Sequence, residues 1–206
     1  MPLLRVDRLN LVYGATDVLN NLTFQLEPRQ RLGRAVFPAR RPNESQREGV
    51  ARNLKLLAQR IHALKVPFTI DVFGLTTTAE DDLGIGQQWE DLVAAADVVL
   101  PMVYPSHYRH GVYNVPRPNS EPYVMVHRAL EDGLRRSTAL APAKTAEIRP
   151  YLQAFTLGQP RYTPFLVKEQ VRAAEELGLR SWVLWNPGAR YDPRIFRPDG
   201  QAVGER

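Results

Sequence analysis

Phe68-Thr69-Ile70-Asp71-Val72-Phe73-Gly74 decides the fold class. Pro67 stops whatever helix precedes it, the run itself is rich in β-branched and aromatic residues, and Gly74 closes it, so the segment reads as a buried parallel strand. Upstream, Val50, Leu54, Leu57, Ile61 and Leu64 step by four, three, four and three, which is the stripe of an amphipathic helix. Asn43 is placed to cap that helix, with Gln46 at the reciprocal capping-box position. Downstream, a polar loop over residues 75–86 leads to a second stripe at Trp89, Leu92, Val93 and Ala96. The continuous apolar run Val98–Tyr104 follows. The pattern is strand, helix, strand.

The alternation continues to the end of the chain. A polar connection over 105–120 precedes a predicted helix over 121–136 and a strand near 148–155. Thr163 and Pro164 suit the cap and first turn of another helix, whose buried side is Leu166, Val167, Val171, Ala174 and Leu177 and whose stop is Gly178. Ser181–Asn186 is the last strand. Strands separated by helices in this way form βαβ units and a parallel sheet. An open doubly wound sheet and a closed (β/α)8 barrel both fit. The nucleotide fingerprint G-x-G-x-x-G is absent, and Gly84-Ile85-Gly86 does not directly follow a strand. Polar or aromatic groups sit at the C-terminal ends of several strands (Asp71, closing the Phe68–Asp71 run, Tyr104, Gln153, Trp185, Asn186), where barrel enzymes place their chemistry. The expected class is α/β, the C-terminal part of a (β/α)8 TIM-type barrel. A short β-rich appendage precedes it, because residues 3–13 and 22–26 alternate with period two and end at Gly14 and Pro28.

Composition excludes several classes. With no cysteine among 206 residues there is neither a disulfide framework nor a thiolate metal site. No run approaches the roughly 20 apolar residues of a spanning helix, and Arg5, Asp7 and Arg8 interrupt the start, so the chain reads as unsecreted and without a membrane segment. The net charge is +5, but the basic residues, all arginine except Lys55, Lys65, Lys144 and Lys168, are dispersed from Arg5 to Arg206. A nucleic-acid footprint would gather them on one face with interleaved aromatics, so no nucleic-acid partner is expected. His107, His110 and His127 share no helix face at i,i+4 and have no carboxylate spaced to complete a triad, so neither metal nor cofactor is expected. The serine-hydrolase motif G-x-S-x-G is missing.

Two resemblances emerge. Residues 1–33, through Leu9-Asn10-Leu11-Val12-Tyr13-Gly14 to Gly33, resemble the opening of an ABC-type ATPase domain of the soluble translation-factor class, in which Tyr13 would stack on adenine. Gly33 is followed by Arg34-Ala35-Val36, and G-x-x-x-x-G-K-[ST] occurs nowhere, so nothing is available to hold nucleotide phosphates. From about Val36 to Phe196 the chain resembles a glycoside hydrolase family with a (β/α)8 barrel. The resemblance rests on Phe37-Pro38, Asp71–Gly74, Asp82–Gln87, Pro101–Tyr108, Pro150–Phe155 and Leu184–Pro187, in that order. In that family an F-D-Y-[IV]-R-F-P motif ends an earlier strand. Aligned on Phe37-Pro38, Gly33 stands at its aspartate and Val36 at its arginine, which points to a seam between two sequences. The implied organisation is an appendage over 1–33, a partial barrel over 34–196 and a tail over 197–206.

The resemblance implies a polysaccharide or oligosaccharide substrate and hydrolysis by a pair of carboxyl groups. Asp71 is the catalytic candidate: a charge near a strand end is costly unless it faces a polar cleft or finds a partner. Asp82 lies on the loop of the same rim, beside Glu80 and Asp81. Tyr104, His107, Tyr108, Gln153, Trp185 and Asn186 complete the expected substrate-binding set, since a sugar cleft uses flat apolar rings with polar tips. Two further readings stand beside this one: a non-catalytic chimeric remnant, or an ATP-binding fragment, the latter opposed by the missing phosphate loop. An arc of about half a barrel would also expose two sheet edges. It would leave Ile70, Val99, Leu152 and Val183, or their strand neighbours, partly in water, and so predicts self-association and no measurable activity. As written the chain reads as cytoplasmic, although relatives of the resembled family could be exported.

Overall fold

The computed structural model describes residues 4–13, 16–26, 41–140 and 145–196. The expectations for Gly33, Val36, Phe37-Pro38 and the tail over 197–206 lie outside these residues. Strands β1 (Leu4–Tyr13) and β2 (Thr16–Leu26) pair antiparallel, with Leu4 opposite Leu26 and Tyr13 opposite Thr16. The second strand starts at Thr16 rather than Leu22. Asp17, Asn20 and Asn21 are poor strand formers that break the alternation in sequence, and the ladder shifts register over the same stretch.

The remaining elements build a parallel sheet. Helix α1 (Gln46–Ala63) leads to β3 (Thr69–Phe73), α2 (Trp89–Ala95), β4 (Val98–Met102), α3 (Pro122–Thr138), β5 (Glu147–Ile148), β6 (Tyr151–Gln153), α4 (Pro164–Glu176) and β7 (Val183–Trp185). The order across the sheet is β3-β4-β6-β7, with β5 also on β4, and every pairing is parallel. Strand order therefore follows chain order. A doubly wound sheet reverses direction at a switch point, whereas consecutive barrel strands do not, so the α/β fold is an arc of barrel type. Right-handed crossovers that always advance the same way leave every helix on the same face.

That face is the core. Val72, Val99 and Leu152 from the sheet meet Trp89, Leu92 and Val93 of α2, Met125, Val126, Ala129 and Leu130 of α3, and Ala173 and Ala174 of α4. Trp89 is wholly buried, and its indole Nε1 donates to the Gly133 carbonyl and to Ser137 Oγ, both at 3.1 Å. Gly74 ends β3 where a Cβ would collide with the Met102 backbone, so the chain can pass under β4 only without a side chain. The loop beyond is held by Arg136, whose Nη1 donates to the carbonyls of Thr76, Thr77 and Ala79 while Nε and Nη2 pair with Glu90.

Two sequence expectations need correction. Ser45, not Asn43, caps α1: its Oγ accepts from Glu48 N at 3.1 Å while Glu48 Oε2 accepts from Ser45 N at 2.7 Å. Asn43 instead adopts a left-handed backbone conformation, with φ 62°. The strand expected over 148–155 is split into β5 and β6, because Pro150 has no N–H to continue the ladder; Arg149 N reaches Val99 O and Val183 N reaches Pro150 O on either side of it. Thr163 and Gly178 behave as expected. The Thr163 hydroxyl accepts from Leu166 N, and Gly178 takes φ +81° after α4.

Candidate functional site

The second face of the sheet holds the catalytic candidate Asp71. Along β3, Val72 is 1% exposed beneath the helices, whereas Phe73 is 39% exposed on the opposite side and Asp71 shares that side. Parallel register extends the same side across the sheet. Asp71 lies opposite Leu100, Phe73 opposite Met102, Met102 opposite Tyr151, Tyr151 opposite Val183, and Gln153 opposite Trp185. Val99 and Leu152 are wholly buried on the helix side, and Ile70 packs there too. Of the residues expected, themselves or through their strand neighbours, to stay partly in water, Ile70 is half-buried, while Val99 and Leu152 do not face open space. Their neighbours Asp71, Phe73 and Trp185 do so instead, with Val183 on their side.

Asp71 has no hydrogen-bond or ion-pair partner among the described residues. Partial burial desolvates its carboxyl and pushes it above the ordinary aspartate value. Tyr104, just past β4, is buried, and desolvation raises its hydroxyl, with the charges of Tyr151, Asp71 and Tyr191 adding to the effect. Tyr151 is raised by desolvation and then by Asp71 and Tyr191. These four groups lie within electrostatic reach of one another, and both phenols keep their protons at neutral pH. Trp185 stands edge-on to Tyr151, with centroids 6.3 Å apart, and is 46% exposed; Tyr191 is 39% exposed and donates from its hydroxyl to Leu184 O. His107 and Phe155 meet the Tyr104 ring edge-on at 5.2 and 5.4 Å. Desolvation pushes the His107 imidazole below its usual value, so it is neutral at pH 7.

Among the residues expected from sequence, the structure brings together Asp71, Tyr104, His107 and, through Tyr151, Trp185. The others are engaged elsewhere. Asp82 Oδ1 accepts from Gly84 N at 3.0 Å and shapes its own loop, as Asp81 does with Leu83 N. Tyr108 belongs to the helix-side core. Its hydroxyl reaches toward Thr77 without a hydrogen bond of acceptable geometry, and burial raises its pKa. Gln153 is wholly buried, with Oε1 accepting from Ser106 N and Nε2 donating to Phe155 O. Gln170 clasps its backbone from both sides. The Asn186 side chain donates to Ala154 O and Arg190 O and accepts from Gly188 N. These carboxamides position loops. Sequence reading missed Phe73, Tyr151 and Tyr191. Tyr151 was open to discovery because it lies two residues from Gln153 and therefore shares its face; nothing local marked Tyr191.

Residues 27–191 match the model of a family described as "Putative glycosyl hydrolase domain". The chain belongs to that family. The match runs through Gly33 and Val36, across the seam that the two resemblances implied, and the comparisons give no support to an ABC-type ATPase relationship for residues 1–33. No curated protein matches the chain. Among solved structures, it is similar to the crystal structure of bee venom hyaluronidase at 17% identity and TM-score 0.34, covering 50% of this chain and 29% of that one. The chain thus spans under a third of that protein's length.

Proposed function

We propose that the helix-free face binds a polysaccharide or oligosaccharide chain and that Asp71 is one of the two carboxyl groups of a glycoside hydrolase site. The observation that carries this reading is an unpartnered carboxyl, with its pKa raised by desolvation, set among Tyr104, Tyr151, Tyr191 and Trp185. A carboxyl whose pKa is raised by desolvation is better suited than an ordinary aspartate to protonate a leaving glycosidic oxygen. Aromatic rings with hydroxyl and indole tips offer apolar faces to a sugar's C–H side and donors to its hydroxyls.

Hydrolysis requires a second carboxyl group about 5 to 9.5 Å away, depending on stereochemical outcome. By register Glu147 shares this face, opposite Val98, but it stands two strands away from Asp71 and is ion-paired with Arg149. The chain on its own is therefore assigned to binding without turnover. The test is a panel of polysaccharides and their oligosaccharides, assayed for binding by calorimetry and for reducing-end release, beside an Asp71→Asn control. Saturable binding with no release in either protein is the expected result. Release that disappears in the Asp71→Asn variant would establish a complete catalytic pair, and absence of any binding would remove the carbohydrate reading.

A further inference from the structure

A pocket of about 390 Å³ lies between the 105–120 and 157–159 loops, beside the Asp71 cluster and separate from it. Its wall is built before any ligand arrives. Buried Gln153 holds Ser106 N from below, and Asn119 Nδ2 donates to Leu157 O and Gln159 O at 3.0 and 2.8 Å, tying the two loops together. Tyr113 anchors the base of the first loop, its hydroxyl donating to Asp132 and accepting from Thr78. Two cationic or ionisable groups, Arg117 and His110, line this wall, and neither has an ion-pair partner among the described residues. No Asp or Glu lines the pocket, and Glu121, four positions beyond Arg117, is not among its lining residues. Ser106 Oγ, in the same wall, is buried with its hydrogen-bonding capacity unused.

A guanidinium left without a carboxylate, next to an imidazole and an unpartnered hydroxyl, is complementary to a planar or tetrahedral oxyanion. The rest of the wall sets Pro105, Pro118 and Leu157 beside Ser120 and Gln159, a mixture that suits the apolar and hydroxylated sides of a sugar ring. The pocket shares the 104–108 segment with the Asp71 cluster, since Tyr104 and His107 flank Ser106. A glycan seated on the helix-free face therefore has a neighbouring compartment for an adjoining unit. We propose that this pocket takes a sugar unit bearing an anionic substituent, a carboxylate or a sulfate ester, held by Arg117. The assignment rests on the carbohydrate reading of the Asp71 face and names the class of glycan for it.

The test measures affinity of the whole chain for galacturonate and glucuronate oligomers, for the same oligomers with their carboxyls reduced to hydroxymethyl groups, and for neutral oligomers carrying sulfate esters. The expected result is about tenfold tighter binding of at least one anionic oligomer than of its neutral counterpart, weakening as salt is added. Arg117→Gln should remove that preference, so that the anionic oligomer binds no tighter than its neutral counterpart, and Arg117→Lys should keep part of it. A preference confined to the uronates assigns a carboxylate, and one confined to the sulfated oligomers assigns a sulfate ester. Equal affinities, or a preference that survives Arg117→Gln, would overturn this proposal and leave the carbohydrate reading standing. Failure to bind any member of either series would overturn both. Unchanged thermal unfolding of the variants separates these outcomes from a folding defect.

Discussion

The two faces of the parallel sheet use the same residue types for opposite ends. On the helix side, Trp89 is completely enclosed and satisfies its indole N–H on Gly133 and Ser137; on the other, Trp185 is 46% exposed with Tyr151 at its edge. The helix side has an arginine–carboxylate pair whose remaining donors are absorbed by backbone carbonyls, in Arg136 and Glu90. The open side has Asp71 with no pair. Satisfied polar groups mark the part of a protein that holds itself together, and an unsatisfied charge among exposed rings marks the part arranged for something else.

Substitutions should separate the two faces. Trp89→Ala removes a fully buried ring together with its hydrogen bonds to Gly133 O and Ser137 Oγ, so a loss of about 3–5 kcal/mol is expected in chemical denaturation, a large fraction of a typical domain's stability. Next in size is a pH effect. Burial alone would raise Glu90, but its hydrogen bonds from Arg136 and Gln88 outweigh that and hold its pKa at about 2. A folded-state value below the unfolded 4.5 contributes stability that is present above pH 4.5 and lost as pH falls toward 2, amounting to as much as about 3 kcal/mol. Denaturation followed from pH 6 to 2 should show this loss, and Arg136→Met should flatten it.

On the open face the order reverses. Trp185→Ala is expected to change stability by less than about 1 kcal/mol, because the ring is already half in water, while weakening oligosaccharide binding about tenfold or more. Asp71→Asn should have the smallest effect on folding, and a stabilising one. The raised pKa of Asp71 means that its contribution is intact below the unfolded value of 3.8 and is lost as pH rises through the folded one. The asparagine variant should therefore unfold later than the natural chain at pH 7, and the difference should close below about pH 4. An aspartate retained at a cost to stability is what a functional position predicts.

The helix side was the more legible in sequence. Stripes such as Val50-Leu54-Leu57-Ile61 carry their own period, and Pro67, Thr163 and Gly178 mark boundaries by backbone chemistry alone. At the start of α1 the reading stopped at Asn43 with Gln46, whereas the box is made two residues further on by Ser45 and Glu48. The open face was harder. Strands such as Val98-Val99-Leu100-Pro101-Met102 are apolar on both sides, so no alternation states which residues face the helices until neighbouring strands set the register. That is why Val99 and Leu152 could be named for the open side only together with their strand neighbours. Tyr104 and Tyr108 show the same limit in a loop: four positions apart with no period to separate them, one joins the Asp71 cluster and the other the core.

The indole N–H signals of the chain's three tryptophans provide the most direct test, since Trp89 and Trp185 report the two faces in a single spectrum. Titration with a binding oligosaccharide should shift the Trp185 signal saturably and leave that of Trp89 in place. A saturable shift at Trp89 with none at Trp185, or binding that moves neither, would contradict the assignment of the helix-free face as the carbohydrate site.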